Sequence, residues 1–229
     1  NSDDLLNNID APFSAMDHPT VDGINTFFIS KVVNEKGFKM AISGAGADEL
    51  FAGYPVFKQA YELNNKKWLY SFPPQMRNLF GKILKWYDPS LKVEKMADIL
   101  NQRVLELPYY YPLFRRINSN RAINKLLNLR LETFKSYPLL WGINELEPNQ
   151  RGSKLPFLSK ISLLEMETYL QNVLLRDADQ MGMANSLEIR VPFLDHKLVN
   201  FILSIEDNYK YPHYQKKLLI DATKTWLPE

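Results

Sequence analysis

Two stretches of the chain concentrate side chains able to do chemistry. The first is Ser43-Gly44-Ala45-Gly46-Ala47-Asp48-Glu49. Glycines and small residues ahead of a helix let backbone N–H groups converge, and such a turn attracts an anion, phosphate above all. Asp48 and Glu49 then put negative charge into the first helical turn, where the helix dipole favours each by about 0.3–1 kcal/mol. Together they repel a bare phosphate, so a divalent cation must stand between. The segment therefore reads as a Mg²⁺–polyphosphate site with Asp48 on the hard cation. The same residues also suit an ordinary strand-to-helix turn.

The second stretch, Leu175 to Asp195 (LRDADQMGMANSLEIRVPFLD), sets Arg176, Asp177, Asp179, Glu188, Arg190 and Asp195 among Met181, Met183, Leu187, Val191 and Phe193. Charges embedded in an apolar run are either paired with one another or functional. Arg190 has the planar fork that clamps a carboxylate or phosphate; an internal network of Glu–Arg and Asp–Arg pairs is the structural alternative.

These residues need elements to hold them. Residues 1–19 read as irregular, broken by Pro12 and Pro19. Asp22 can cap a helix whose apolar face is Ile24, Phe27, Phe28 and Val32 and which Gly37 stops. Phe38–Ser43 is a short apolar run bounded by glycines and is predicted to be a buried strand of a parallel sheet. A helix opens at Asp48. From about 55 to 175 the texture is helical: Met76, Leu79, Phe80, Ile83 and Tyr87 form one stripe, and Met96, Ile99, Leu100, Val104 and Leu107 another. Both are expected to pack into a core, and Tyr109-Tyr110-Tyr111 is expected to form a surface turn. Ser162 and Glu165 predict a capping box. Asp195 caps a helix with Leu198, Val199, Ile202 and Ile205, and a last helix starts near Gln215.

Composition narrows the function. The 229 residues carry 28 Lys and Arg against 26 Asp and Glu, a net charge of +2, which argues against nucleic acid as the main partner. Hydrophobic residues make up 45%, so the chain can fold as a globular domain. There is no cysteine and there are three histidines, which excludes disulfides, thiolate catalysis and Cys-bound zinc and leaves little for a His-rich metal site. No apolar run approaches the roughly 20 residues of a membrane span. A cytoplasmic protein with neither nucleic-acid nor membrane partners is expected.

Taken together, the two stretches carry a resemblance. SGAGADELFAGY (43–54) resembles the SGxGxDE(L/V)FxGY signature of glutamine-hydrolysing asparagine synthetases. Residues 176–195 are similar to the RDxDxMxMAxSLExRVPFLD signature of the same synthetase domain, and Lys216-Lys217-Leu218-Leu219-Ile220-Asp221 more weakly resembles the K-x-x-L-R-E segment that follows it. The likeness covers about 20–60 and 165–228; residues 60–160 carry no such motif and read as a divergent helical region.

The resemblance implies an α/β, predominantly helical fold. More finely, it implies part of a Rossmann-like ATP-pyrophosphatase domain (adenine nucleotide alpha hydrolase-like) lacking its N-terminal strands. It implies an ATP- and Mg²⁺-dependent ligase that adenylates a carboxylate, that of aspartate or a related acceptor, and transfers glutamine-derived ammonia to it, giving an amide, AMP and pyrophosphate. The ammonia comes from an N-terminal amidohydrolase domain of the parent chain. Asp48 matches the family's Mg²⁺-binding Asp; Ser43, Gly44, Ala45 and Gly46 match the nucleotide and substrate loop; Glu188 matches a glutamate near the acceptor. Lys216 matches the lysine that stabilises the transition states, and Lys217 is one residue out of register.

The family's nucleotide loop, SGGxDS, does not occur here, so the chain is expected to be the C-terminal piece of a synthetase, to give no ATP–pyrophosphate exchange alone and to self-associate. Asparagine synthetases carry Glu where Ala45 stands. That leaves open a sugar carboxylate of a surface polysaccharide as the acceptor. It also leaves open a ring-closing enzyme of the β-lactam synthetase kind, and a non-catalytic helical interaction module. On the catalytic reading the turn after Ser43 and the stretch around Glu188 share one cleft.

Overall fold

The computed structural model of the chain describes residues 7–102, 104–127 and 155–226. The backbone divides into two compact units, one of residues 1–54 and 155–229 and one of residues 55–154.

The first unit begins with a short helix, α1 (Asp10–Ala15), where the sequence predicts irregular chain. Helix α2 (Val21–Glu35) follows, and its N-cap is Thr20, not Asp22. The Thr20 hydroxyl oxygen accepts from the Gly23 N–H at 3.0 Å, satisfying one of the N–H groups a helix start leaves open. Thr20 wins because its own O–H can also donate, at 2.7 Å, to the buried Asp177 carboxylate. Gly37, with φ +88°, ends the turn after α2 as expected.

Strand β1 is Met40–Ile42, shorter than the predicted Phe38–Ser43, and it is not buried: Ile42 is 74% exposed. Its partner is β2 (Glu188–Arg190), a strand that the periodicity of the sequence left unread. The pair is parallel, in the register Met40–Glu188, Ala41–Ile189 and Ile42–Arg190. Two strands make the whole sheet among the described residues, so the flanking side chains of β1 have no second layer to bury them.

One-turn helix α3 (Ala47–Leu50) leaves the end of β1. After the second unit the chain returns as α9 (Phe157–Glu165), a π-helical stretch (Met166–Leu175) and α10 (Arg176–Ala184). Ser162 and Glu165 form no capping box. Both are buried in mid-helix, and the helix starts at Phe157 behind Pro156. Its open N–H groups, those of Phe157 and Leu158, donate instead to the Asp207 carboxylate at 2.9 and 2.8 Å. A short 3₁₀ turn (Pro192–Leu194) leads to α11 (His196–Ser204), capped as predicted by Asp195, which accepts from the N–H groups of Lys197 and Leu198. Helices α12 (Asp207–Lys210) and α13 (Lys217–Thr223) complete the unit.

The second unit is helical: α4 (Pro55–Asn64), α5 (Pro74–Tyr87), α6 (Leu91–Leu100), α7 (Leu107–Arg115) and α8 (Asn120–Leu127). The tyrosine run is not a surface turn: it lies in α7, and Tyr110 and Tyr111 are turned into the core at 1% and 0% exposure. The second predicted stripe is cut in two, because α6 ends at Leu100 and α7 begins at Leu107. The first stripe does not pack inward. Met76, Leu79, Phe80 and Ile83 of α5 are all more than half exposed, because the helix meets its neighbour through Arg77 and Gly81 instead.

Candidate functional site

The ladder between β1 and β2 ends where the Ser43 N–H donates to the Arg190 carbonyl at 2.8 Å. Because the strands are parallel, the turns after both leave from this same end, the position where open α/β sheets bind ligands. Ser43 Oγ accepts from the Ala45 N–H at 3.2 Å. Gly44 has open space where a side chain would stand. Gly46 adopts φ +91° as it enters α3, and a Cβ there would lie 2.5 Å from Leu194 Cδ2. The glycine turn therefore rests directly on the turn after β2, and the rings of Phe51 and Phe193 meet edge to face at 5.8 Å.

Packing then brings in the C-terminal segment. Leu50, Phe51 and Ile202 form a buried cluster against which Leu218 and Leu219 of α13 pack. Lys216 caps α13 in a left-handed conformation, φ +54°. This conformation costs a non-glycine residue about 1 kcal/mol or more. Held there, Lys216 Nζ lies 2.9 Å from Asp48 Oδ2, each side chain about one-third exposed. Two residues picked from separate motifs thus meet beside the glycine turn.

Asp48 is held from below. The Gly53 N–H donates to the Asp48 carbonyl at 2.8 Å, and a Cβ on Gly53 would sit 2.0 Å from Asp48 Oδ1 and 2.9 Å from Asp48 Cα. Next to it, Glu49 is buried and accepts from the Tyr54 hydroxyl at 2.9 Å. Burial, and then the Glu49 and Asp48 carboxylates, push the Tyr54 hydroxyl far above its ordinary pKa, so it stays a proton donor. The sequence reading missed Gly53 and Tyr54, although both lie inside the quoted motif: a Gly-Tyr pair one turn past an Asp-Glu pair was the available signal.

Glu188 stands elsewhere. In register with Met40 it begins β2, at the far end of the ladder from Ser43. It is exposed, and its Oε1 accepts from Arg190 Nε at 2.8 Å. That guanidinium holds the Glu188 carboxyl below its ordinary pKa. The turns after the two strands adjoin, but Glu188 itself is not brought to the Asp48–Lys216 pair. Lys217 faces away to Asp221, four residues along α13. Three of the remaining charges of the second stretch have structural partners: Arg176 pairs with Asp17 at 2.5 Å, Asp177 accepts from the Thr20 hydroxyl, and Asp195 caps α11. Burial raises the pKa of Asp177, and the Thr20 bond opposes the rise.

Among the described residues no three His, Asp or Glu converge as a metal cage. Asp48 offers a single carboxylate beside the glycine turn. Such a donor set suits Mg²⁺ brought with a polyphosphate, since this ion draws most of its ligands from phosphate and water.

The profile of the asparagine synthase family matches residues 1–229. The glutamine-hydrolysing asparagine synthetases 1 and 3 of Bacillus subtilis are 24% identical over 93% of this chain and 27% identical over 99% of it. A protein named amidase chyE, from Penicillium rubens, is 21% identical over 92% of the chain. The chain spans about a third of the length of these relatives, which is 32%, 30% and 33% in turn. No solved structure matches it. On the match along its whole length, the chain belongs to the asparagine synthase family.

Proposed function

We propose that this chain supplies the synthetase side of an ATP-dependent amidotransferase of the Rossmann-like ATP-pyrophosphatase kind, working with an N-terminal glutamine amidohydrolase domain. The enzyme adenylates a carboxylate and lets glutamine-derived ammonia displace AMP. One observation carries the reading: Asp48 and Lys216 meet at 2.9 Å beside the glycine turn, at the end of the parallel strands. A carboxylate is a poor electrophile, and transfer to AMP gives it a good leaving group.

In this reading Asp48 holds Mg²⁺, which when bound draws charge from the phosphate oxygens. Lys216 sets an ammonium where negative charge grows as the phosphorus is attacked. Ser43, Gly44 and Gly46 shape the turn so that backbone can approach the nucleotide. Glu188 lies three strand residues from the Ser43 end, about 10 Å. In this reading Glu188 meets the part of the acceptor remote from the phosphates. Ala45 offers no carboxylate to an amine-bearing acceptor, which favours an acceptor other than aspartate, a sugar uronate being the first to try.

The test is AMP release by the whole protein that carries this chain, with ammonia or glutamine and with aspartate or uronates offered. Asp48→Asn and Lys216→Met should each lower the rate by about 100-fold or more, the usual scale for losing one charge-stabilising group. Unchanged rates in both variants would refute the assignment.

A further inference from the structure

Helix α5 is packed inside out. Its contact with α6 is made by Gly81, where a Cβ would stand 3.3 Å from the Ala97 Cβ. Arg77 adds to it, its Nη1 donating to the carbonyls of Leu100 and Gln102 at 3.0 Å each, and Lys85 pairs with Asp98 at 2.7 Å. The apolar stripe faces out: Leu79 is 61% exposed, Ile83 52%, and Trp86 and Tyr87 85% each. Phe80 extends this surface into a cleft of about 940 Å³, whose walls include Leu63, Trp68, Met96 and Ile99. The polar lining of the cleft is Gln59, Glu62, Lys66, Lys92 and Lys95.

The surroundings are basic. Residues 55–127 contain thirteen Lys and Arg and five Asp and Glu, while the whole chain balances at +2. A second copy of the chain would bring the same positive charge to this face, so self-association is opposed there. What complements it is a negatively charged surface that accepts apolar side chains. Trp and Tyr rings flanked by lysines are the side chains that settle at the headgroup level of a bilayer.

We propose that the outward face of α5 docks this unit on an anionic lipid bilayer. At 14 residues the helix is about 21 Å long, too short to span, and it lies in the interfacial plane. The sequence expectation of no membrane partner rested on the lack of a spanning run, which does not read a peripheral face.

The test is co-sedimentation of the 229-residue chain with vesicles of phosphatidylcholine alone or mixed with phosphatidylglycerol, at low and high salt. Binding should need phosphatidylglycerol and weaken with salt. It should be abolished by Ile83→Glu, and fall about fivefold in Lys82→Gln, the usual share of one basic residue at such a surface. Both side chains are exposed, so circular dichroism and the melting curve should match the parent. Binding to pure phosphatidylcholine as strong as to the mixture would overturn the proposal. So would vesicle binding that survives both substitutions, or a dimer seen by light scattering that Ile83→Glu dissociates in the absence of any vesicle binding.

Discussion

Gly53→Ala is the sharpest probe of how Asp48 is held. The added methyl meets Asp48 Oδ1 at 2.0 Å, Cγ at 2.8 Å and Cα at 2.9 Å. The carboxylate can swing away, but Cα is backbone in the single turn of α3 and cannot move without shifting Leu50 and Phe51 in the core. Overpacking of this kind costs about 1–3 kcal/mol. The Lys216 pair, one-third exposed, adds at most about 1 kcal/mol when broken. At about 2–4 °C per kcal/mol for a chain of this length, calorimetry should show a fall of about 2–16 °C. Asp48→Ala removes two of the three overlapping atoms. The double variant should therefore be less unstable than the sum of the single ones, by about 1 kcal/mol or more. A Gly53→Ala protein that melts with the parent, or a double variant that is strictly additive, would refute this account of Asp48.

Two further outcomes are expected. Thr20→Val removes both the cap of α2 and the donor to buried Asp177, at a cost of about 2–4 kcal/mol in urea unfolding; it should also raise the Asp177 pKa, readable by carboxyl-carbon NMR. Lys210 is buried and donates to Ser159 Oγ and to the Ile202 carbonyl. Burial lowers its pKa to about 8, against the upward pull of Asp207. Between about 8 and the ordinary 10.5 the unfolded chain binds this proton and the folded chain does not, so stability rises with pH across that window. The contribution is complete above the unfolded value and lost as pH falls through the folded one. Lys210→Met should flatten this part of the stability–pH curve, and an unchanged slope would refute the reading.

Local chemistry was the legible part of the fold. Asp195 before an apolar run announces its helix without help from elsewhere, and Gly37 ends another. The glycine turn and Asp48 were readable because their spacing is short and specific. What the sequence hid is set by tertiary partners. Thr20 beats Asp22 as a cap because Asp177, far along the chain, accepts its proton. Strand β2 alternates Leu187-Glu188-Ile189-Arg190, but three residues, two of them charged, look like part of a loop until β1 pairs with them. The stripe of α5 has the period of a core helix, and periodicity cannot say which way a helix faces. Arg77 and Gly81 decided that by finding carbonyls and a close approach on α6. The net charge of the chain concealed a strongly basic segment for the same arithmetical reason that any average does.

The carboxylate of Asp207 on the first N–H groups of α9 ties a helix start to a residue about fifty positions downstream. Until that residue is in place, the entrance to the helical run through Ala184 lacks its hydrogen-bond acceptor. The run that carries Asp177 and leads into β2 therefore gains its full stability only when Asp207 is in place. Position 207 thus answers to what begins at 157, although nothing near either residue in the sequence betrays the link.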